Sequence, residues 1–84
     1  MSTEESERTA ASRDYLVKIG NRIRTIRKQK HVSQEELAHV AGFSRSYFTE
    51  IETGKRNISV LNLIRVAKTL GVDPAELLRS LDTN

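Results

Sequence analysis

Apolar residues recur at helical spacing along most of the chain. From about Arg13 to Lys30 they fall at steps of three and four residues, which is typical of an amphipathic helix: Leu16, Ile19, Ile23 and Ile26. Residues 1–12 show no such period and consist mainly of Ser, Thr, Glu and Ala. That composition predicts a disordered or frayed leader, so we expect the folded domain over residues 13–84.

Two short helices joined by a glycine turn are predicted next. Ser33 and Glu36 have the spacing of a capping box, in which a hydroxyl and a carboxylate satisfy backbone amides of the first helical turn. Gly42 can end this helix because glycine enters the left-handed conformation without strain. Ser44 is then placed to cap a second helix that runs to about Thr53. Helices this close in sequence must cross steeply, which predicts a helix-turn-helix.

The second of these helices would turn an unusual set of polar residues outward. Its apolar residues Phe48 and Ile51 belong to the buried side, and the residues facing out are Arg45, Ser46, Tyr47, Thr49 and Glu50. Hydroxyl, guanidinium and phenol groups contact phosphates and base edges when a helix enters the major groove of DNA. A plain solvated surface is the alternative. Together with the preceding turn, the pattern favours DNA recognition.

Two more helices are predicted in the last third of the chain. Ser59 caps VLNLIRVAKTL, which ends at Gly71 and is apolar on nearly every side, so this fourth helix should be central to the core. Asp73 followed by Pro74 is a favoured helix start and opens a fifth helix that runs to about Leu81.

The fifth helix offers apolar residues for the core and for the surface. Leu77 and Leu78 can close the core. Further apolar residues remain for a surface patch, which either frays in the monomer or forms a dimer seam: Tyr15, Val72 and Leu81. We favour the dimer seam, because a small DNA-binding domain usually needs two half-sites for useful affinity.

Composition narrows the class of protein. At 84 residues there is room for one small core, and the absence of cysteine excludes disulfides and thiolate metal sites. No long apolar run and no hydrophobic N-terminal segment are present, so we predict neither a membrane span nor a secretory signal, and expect a cytoplasmic location. His31 and His39 lie on different elements and do not predict a metal site. The carboxylates are too scattered for an enzyme active site.

The net charge of +3 is unevenly distributed. Residues 1–12 carry three glutamates and one arginine, which leaves a net charge of +5 on residues 13–84. A basic small domain suits a polyanion such as DNA. These observations predict a compact, all-α domain of five helices that binds double-stranded DNA without a cofactor or a metal.

Residues from about Ile19 to Leu78 resemble the lambda-repressor-like, or Xre/Cro, helix-turn-helix family. The resemblance is carried by IGNRIRTIR in the first helix, SQEELA at the start of the second, AGFSRSYFTEIE through the turn and third helix, GKRNIS after it, and LIRVAKTLGVDPAEL. Within the family, SRSYFTEIETGKRNIS is most similar to the short controller proteins of restriction-modification systems. The resemblance implies a compact five-helix lambda-repressor-like fold with the helix-turn-helix at helices 2 and 3.

The resemblance also implies roles for matching positions. Those for DNA base readout are Ser44, Arg45, Ser46, Thr49 and Glu50. Arg45 comes first, because a guanidinium can donate two hydrogen bonds to guanine. Glu50 departs from the commoner amide or small residue; a carboxylate accepts from cytosine but repels phosphate. The positions for DNA phosphate are Gln34, Tyr47, Lys55, Arg56 and Asn57. Arg27 matches an arginine that forms a structural ion pair with the glutamate ending the third helix, here Glu52.

The resulting hypothesis is a sequence-specific transcription regulator that acts as a homodimer on a two-fold symmetric operator. A chain of 84 residues leaves no room for a ligand-sensing domain, so no small-molecule effector is expected and the protein would respond mainly to its own concentration. Such autoregulation suits a controller protein. An antitoxin or other protein-interaction module with secondary DNA binding, and a phage-type repressor, are the alternatives.

Overall fold

A computed structural model describes residues 3–82, which form five α-helices and a final 3-10 turn. The elements are α1 (Thr3–Gln29), α2 (Gln34–Ala41), α3 (Arg45–Glu52), α4 (Val60–Leu70), α5 (Pro74–Leu78) and the 3-10 turn Arg79–Asp82. No strand occurs in residues 3–82, and the all-α five-helix prediction is confirmed. No helix in this range combines the length and apolar character needed to cross a membrane.

Serine caps and left-handed glycines set the ends of the inner helices. Ser33, Ser44 and Ser59 have extended backbones, and the hydroxyl of each accepts a hydrogen bond of 3.0–3.1 Å from the backbone N–H three residues further on. Gly42 and Gly71 end α2 and α4 with φ angles of 80° and 71°. The caps predicted at these positions are confirmed, and they define where the helix-turn-helix begins and turns.

All five α-helices contribute to one apolar core. Each supplies one of the largest fully buried side chains, which are Ile23, Leu37, Phe48, Val66 and Leu77. Burying a large apolar side chain stabilises a fold by about 1.5–3 kcal/mol. Because α2 and α3 both reach this core, the helix-turn-helix is held by the whole domain rather than by its own short helices.

α1 and α3 cross at backbone contact beside Gly20. A Cβ atom placed on Gly20 would lie 2.5 Å from the carbonyl oxygens of Ile51 and Glu52. Both atoms belong to the backbone, so they cannot move aside as the end of a flexible side chain would. Glycine therefore lets the C-terminal end of α3 lie directly against α1.

The start of α1 differs from the expected leader over residues 1–12. The helix begins at Thr3, although the first residues have no apolar period. Periodicity reports which face of a helix is buried, whereas alanine and glutamate favour a helix even without a buried face. Residues 1, 2, 83 and 84 lie outside the described range.

α4 is less buried than its composition predicts. Val60 and Leu61 are 72% and 74% exposed, so the expectation that this helix is central to the core is wrong for its first turn. Val60 is the first residue of the helix, at the edge of the core, and Leu61 lies on the side opposite to the buried stripe. Leu78 of α5, expected in the core, is 38% exposed. The buried stripe of α4 consists of Leu63, Val66, Ala67 and Leu70.

Candidate nucleic-acid interface

α3 presents polar side chains from a fixed position. Its first turn is fixed by the hydrogen bond from the Tyr47 backbone N–H to the Ser44 hydroxyl, and its inner side is anchored by the buried Phe48 and Ile51. Its exposed or half-buried polar residues are Arg45, Ser46, Tyr47, Thr49 and Glu50. All the α3 residues expected to face out therefore lie at the accessible surface of one helix.

A buried ion pair joins α1 to the end of α3. Arg27 Nε donates to Glu52 Oε2 at 2.7 Å and Arg27 Nη2 donates to Glu52 Oε1 at 3.1 Å. The two side chains are only 9% and 2% exposed. Arg27 Nη1 also donates to the carbonyl oxygen of Val32 at 2.7 Å. Paired hydrogen bonds of this kind compensate the burial of both charges, and they connect α1, α3 and the segment before α2.

Gln34 is tied to the same ion pair. Its Nε2 donates to Glu52 Oε1 at 2.8 Å, and its Oε1 accepts from Thr49 Oγ1 at 3.5 Å. A side-chain amide carries two N–H donors, so one is left over after the bond to Glu52. Gln34 is also the first residue of α2, where the backbone amides of the first turn have no partner within the helix. This arrangement can bind a phosphate oxygen.

Tyr47 links α3, the loop after it and α4. Its ring meets Phe43 edge-on, with ring centroids 5.2 Å apart and ring planes at 70°. The Arg56 guanidinium carbon lies 5.4 Å from the Tyr47 ring centroid. The Tyr47 hydroxyl oxygen accepts a hydrogen bond of 2.8 Å from Asn62 Nδ2. These contacts hold the phenol in one place at the surface.

The loop between α3 and α4 carries the basic residues of the predicted phosphate contacts. Lys55, Arg56 and Asn57 are all exposed. The Lys55 backbone N–H donates to the Glu50 carbonyl oxygen at 2.8 Å and keeps the loop close to α3. Arg56 Nη2 lies 3.4 Å from Glu50 Oε2, with the side chains 50% and 39% exposed. Exposed ion pairs contribute little to stability, so either side chain can exchange this contact for DNA.

The residues of the candidate dimer seam do not share one environment. Tyr15 is about half exposed on α1, Leu81 is half-buried in the 3-10 turn, and Val72 is half-buried against the core. Among the described residues, the two most exposed large apolar side chains are instead Val60 and Leu61. The start of α4 is therefore a second candidate seam. The sequence did not indicate it, because a helix that is apolar on nearly every side was expected to be buried in the core.

Asn62 is the residue beside the candidate interface that sequence reasoning missed. It contacts Tyr47 from a position 15 residues away in the chain, on another helix. The available signal was one polar residue among the apolar residues of the first turn of α4. That signal does not identify a partner, because the contact depends on how α3 and α4 pack.

Comparison with known proteins gives consistent matches. Residues 23–77 match the family HTH_3, described as Helix-turn-helix. Control protein C.MunI from a Mycoplasma species is 36% identical over 70 residues, which cover 82% of this chain and 95% of that protein. The crystal structure of the restriction-modification controller protein C.AhdI from Aeromonas hydrophila is 45% identical, covers 74% of this chain and 94% of its own, and has a TM-score of 0.72.

A further solved structure contains nucleic acid. SinR, a master regulator for biofilm formation crystallised in complex with DNA, is 41% identical, covers 71% of this chain and 97% of its own, and has a TM-score of 0.68. The family match includes the whole of α2, α3 and α4, and the relatives are transcription regulators rather than enzymes. The chain therefore belongs to the HTH_3 helix-turn-helix family of DNA-binding transcription regulators.

Proposed function

We propose that this chain is a transcription regulator of the restriction-modification controller type, which binds a two-fold symmetric operator as a homodimer and regulates its own gene. The observation that carries the proposal is α3, whose accessible side is rich in hydrogen-bond donors while its inner side and C-terminal end are fixed in the core. A helix held in this way can enter the major groove without reordering. The similarity to control proteins supports the controller type.

The start of α3 supplies the side chains proposed for base readout. Arg45 lies within 4.0 Å of Glu35, but both side chains are more than two-thirds exposed, at 68% and 79%. A pair this exposed is weak, so the guanidinium can leave it and donate two hydrogen bonds to guanine O6 and N7. Beside Arg45, the residues proposed to face base edges are Ser44, Ser46, Thr49 and Glu50.

Phosphate contacts are proposed on both sides of α3. Gln34 and the amides at the start of α2 would bind one DNA backbone, since they bring donors to a helix N-terminus. Tyr47 and the loop residues would bind backbone on the other side of the helix, with charge from Lys55 and Arg56. Asn57 completes this proposed set. Such contacts position a protein on DNA and carry no sequence information directly.

The homodimer and the mode of regulation belong to the same proposal. Two copies related by a two-fold axis would place two α3 helices on half-sites about one helical turn apart. Occupancy of the operator would then follow the protein's own concentration, without a small-molecule effector. Binding to chromosomal DNA implies a cytoplasmic location. The two candidate seams are the patch of Tyr15, Val72 and Leu81 and the exposed start of α4.

The function is tested by binding isotherms at several salt concentrations. The probes are the duplex upstream of the protein's own gene and an unrelated duplex of equal length. We expect a preference of about a thousandfold or more for the upstream duplex. Arg45→Ala should reduce discrimination between that duplex and mutated versions, with little change in melting temperature, because its exposed side chain supports no core contact.

Each outcome bears on a different part of the proposal. Equal binding of both duplexes, and only at low salt, would refute autoregulation at that site. An Arg45→Ala variant that loses affinity equally for every DNA would show that Arg45 contacts phosphate rather than bases. Sedimentation of the protein with the upstream duplex reports whether two copies bind one operator.

A further inference from the structure

Asn62 connects the start of α4 to the proposed DNA-binding side of α3. Its backbone N–H donates to the hydroxyl of the capping Ser59 at 3.1 Å, and its side-chain Nδ2 donates to the Tyr47 hydroxyl oxygen at 2.8 Å. Both Asn62 and Tyr47 are half-buried. The backbone N–H of Asn62 is therefore fixed by the helix cap, while its side chain fixes the position of the Tyr47 phenol.

The direction of this hydrogen bond decides what Tyr47 can still bind. A side-chain NH₂ group can only donate, so the phenol oxygen accepts and its own proton is not used. Within residues 3–82, the side-chain hydrogen-bond partner of this hydroxyl is Asn62. Tyr47 consequently keeps one O–H donor for a group outside the protein.

The surroundings of the phenol favour an anionic oxygen as that group. The Arg56 guanidinium lies over the Tyr47 ring, with 5.4 Å between its carbon and the ring centroid. Lys55, next to it in the loop, is exposed. Positive charge at this place attracts DNA phosphate, and a phosphate oxygen accepts a strong hydrogen bond from a hydroxyl. The edge contact with Phe43 limits the movement of the ring.

We propose that Asn62 is a positioning residue for DNA binding, which donates to the Tyr47 oxygen and so leaves the phenol O–H to be donated to a DNA phosphate. The inference rests on the proposed DNA-binding function and adds a residue to it. Asn62 acts through Tyr47 and does not itself contact the DNA.

A double-mutant cycle on DNA binding tests this role, using Tyr47→Phe, Asn62→Ala and both together. Tyr47→Phe keeps the ring and removes only the hydroxyl. It should weaken binding to the upstream and unrelated duplexes alike by about tenfold per subunit, the value of one hydrogen bond to a charged acceptor. Asn62→Ala should weaken binding by a smaller factor, about threefold. The double variant should bind no more weakly than Tyr47→Phe alone.

The salt dependence provides a second readout. Tyr47 and Asn62 are neutral and neutralise no phosphate charge, so substituting them should not change the number of counterions released on DNA binding. The slope of log affinity against log salt should therefore stay at the wild-type value. Binding is measured well below the melting temperature of each variant, so that a lower apparent affinity cannot result from unfolded protein.

Several results would overturn the proposal. If the loss of affinity in the double variant equals the product of the two single losses, Asn62 contacts DNA by itself. An Asn62→Ala variant with wild-type affinity would show that Asn62 contributes nothing. The proposed function can fail separately. If the wild-type protein has no preference for the upstream duplex, the cycle on unrelated DNA still tests Asn62, because a phosphate contact is independent of sequence. A wild-type protein that binds neither duplex at low salt would overturn both.

Discussion

Removing Arg27 should destabilise the domain far more than removing an ordinary surface cation. The Glu52 side chain is 2% exposed in the native structure, and Arg27→Met removes both of its guanidinium bonds, of 2.7 and 3.1 Å. Gln34 remains as one neutral donor to Glu52 Oε1, which does not compensate a buried charge. Leaving one member of a buried ion pair without its partner costs about 3–5 kcal/mol. For a domain of this size, that corresponds to a fall in melting temperature of roughly 10 °C or more.

The free energy of unfolding is measured by urea denaturation followed by circular dichroism, with the m-value compared between variants. Arg27→Met combined with Glu52→Leu should lose less stability than Arg27→Met alone, because no charge is left buried. Arg22→Met is the matched control. Arg22 pairs with Glu76 at 3.2 Å, but these side chains are about a third exposed, at 31% and 33%, so the loss should be about 1 kcal/mol or less.

Two results would refute this reasoning. A loss of about 1 kcal/mol or less in Arg27→Met would mean that water reaches the Glu52 carboxylate or that the helices repack around it. A double variant less stable than Arg27→Met alone would mean that the pair stabilises the domain by its own attraction, and that the cost of an isolated charge is not the deciding quantity.

Two further substitutions test the interface and the dimer. Arg56→Gln should weaken binding to all DNAs together and reduce the slope of log affinity against log salt by about 0.9 per subunit, since one phosphate contact is lost; an unchanged slope in the binding isotherms would remove Arg56 from the interface. Leu61→Ser should raise the dissociation constant of the proposed dimer by about tenfold or more in sedimentation equilibrium, whereas Val40→Ser, at another exposed apolar residue (66%), should leave it unchanged. A dimer weakened only by Tyr15→Ser would instead support the seam of Tyr15, Val72 and Leu81.

The predictable part of the fold is the part specified by neighbouring residues. Gly42 and Ser44 determine local backbone conformation, so the end of α2 and the start of α3 can be predicted from a few neighbouring residues. The exposure of Leu61 does not, because an apolar helix can be surrounded by others or only flanked, and its own sequence reads the same in both cases. Burial of a side chain is a property of the packed domain.

The candidate site divides in the same way. The outward residues of α3 follow from helical spacing, and the partners Arg27 and Glu52 follow from the family resemblance. The bond between Asn62 and Tyr47 required the structure, because two polar residues on separate helices become partners only when the crossing of those helices is known. For α3, sequence therefore predicts which polar residues lie at the surface, and packing determines which of them act together.

The backbone contact at Gly20 separates the placement of α3 from the chemistry that α3 displays. Side chains on its accessible surface, such as Arg45 and Ser46, can diverge to suit a new operator without altering this crossing, since none of them takes part in it. A lineage can thus change its target while presenting the helix at an unchanged angle. Conversely, one methyl group added at Gly20, on a different helix from the residues proposed for base readout, would displace α3 for every operator at once.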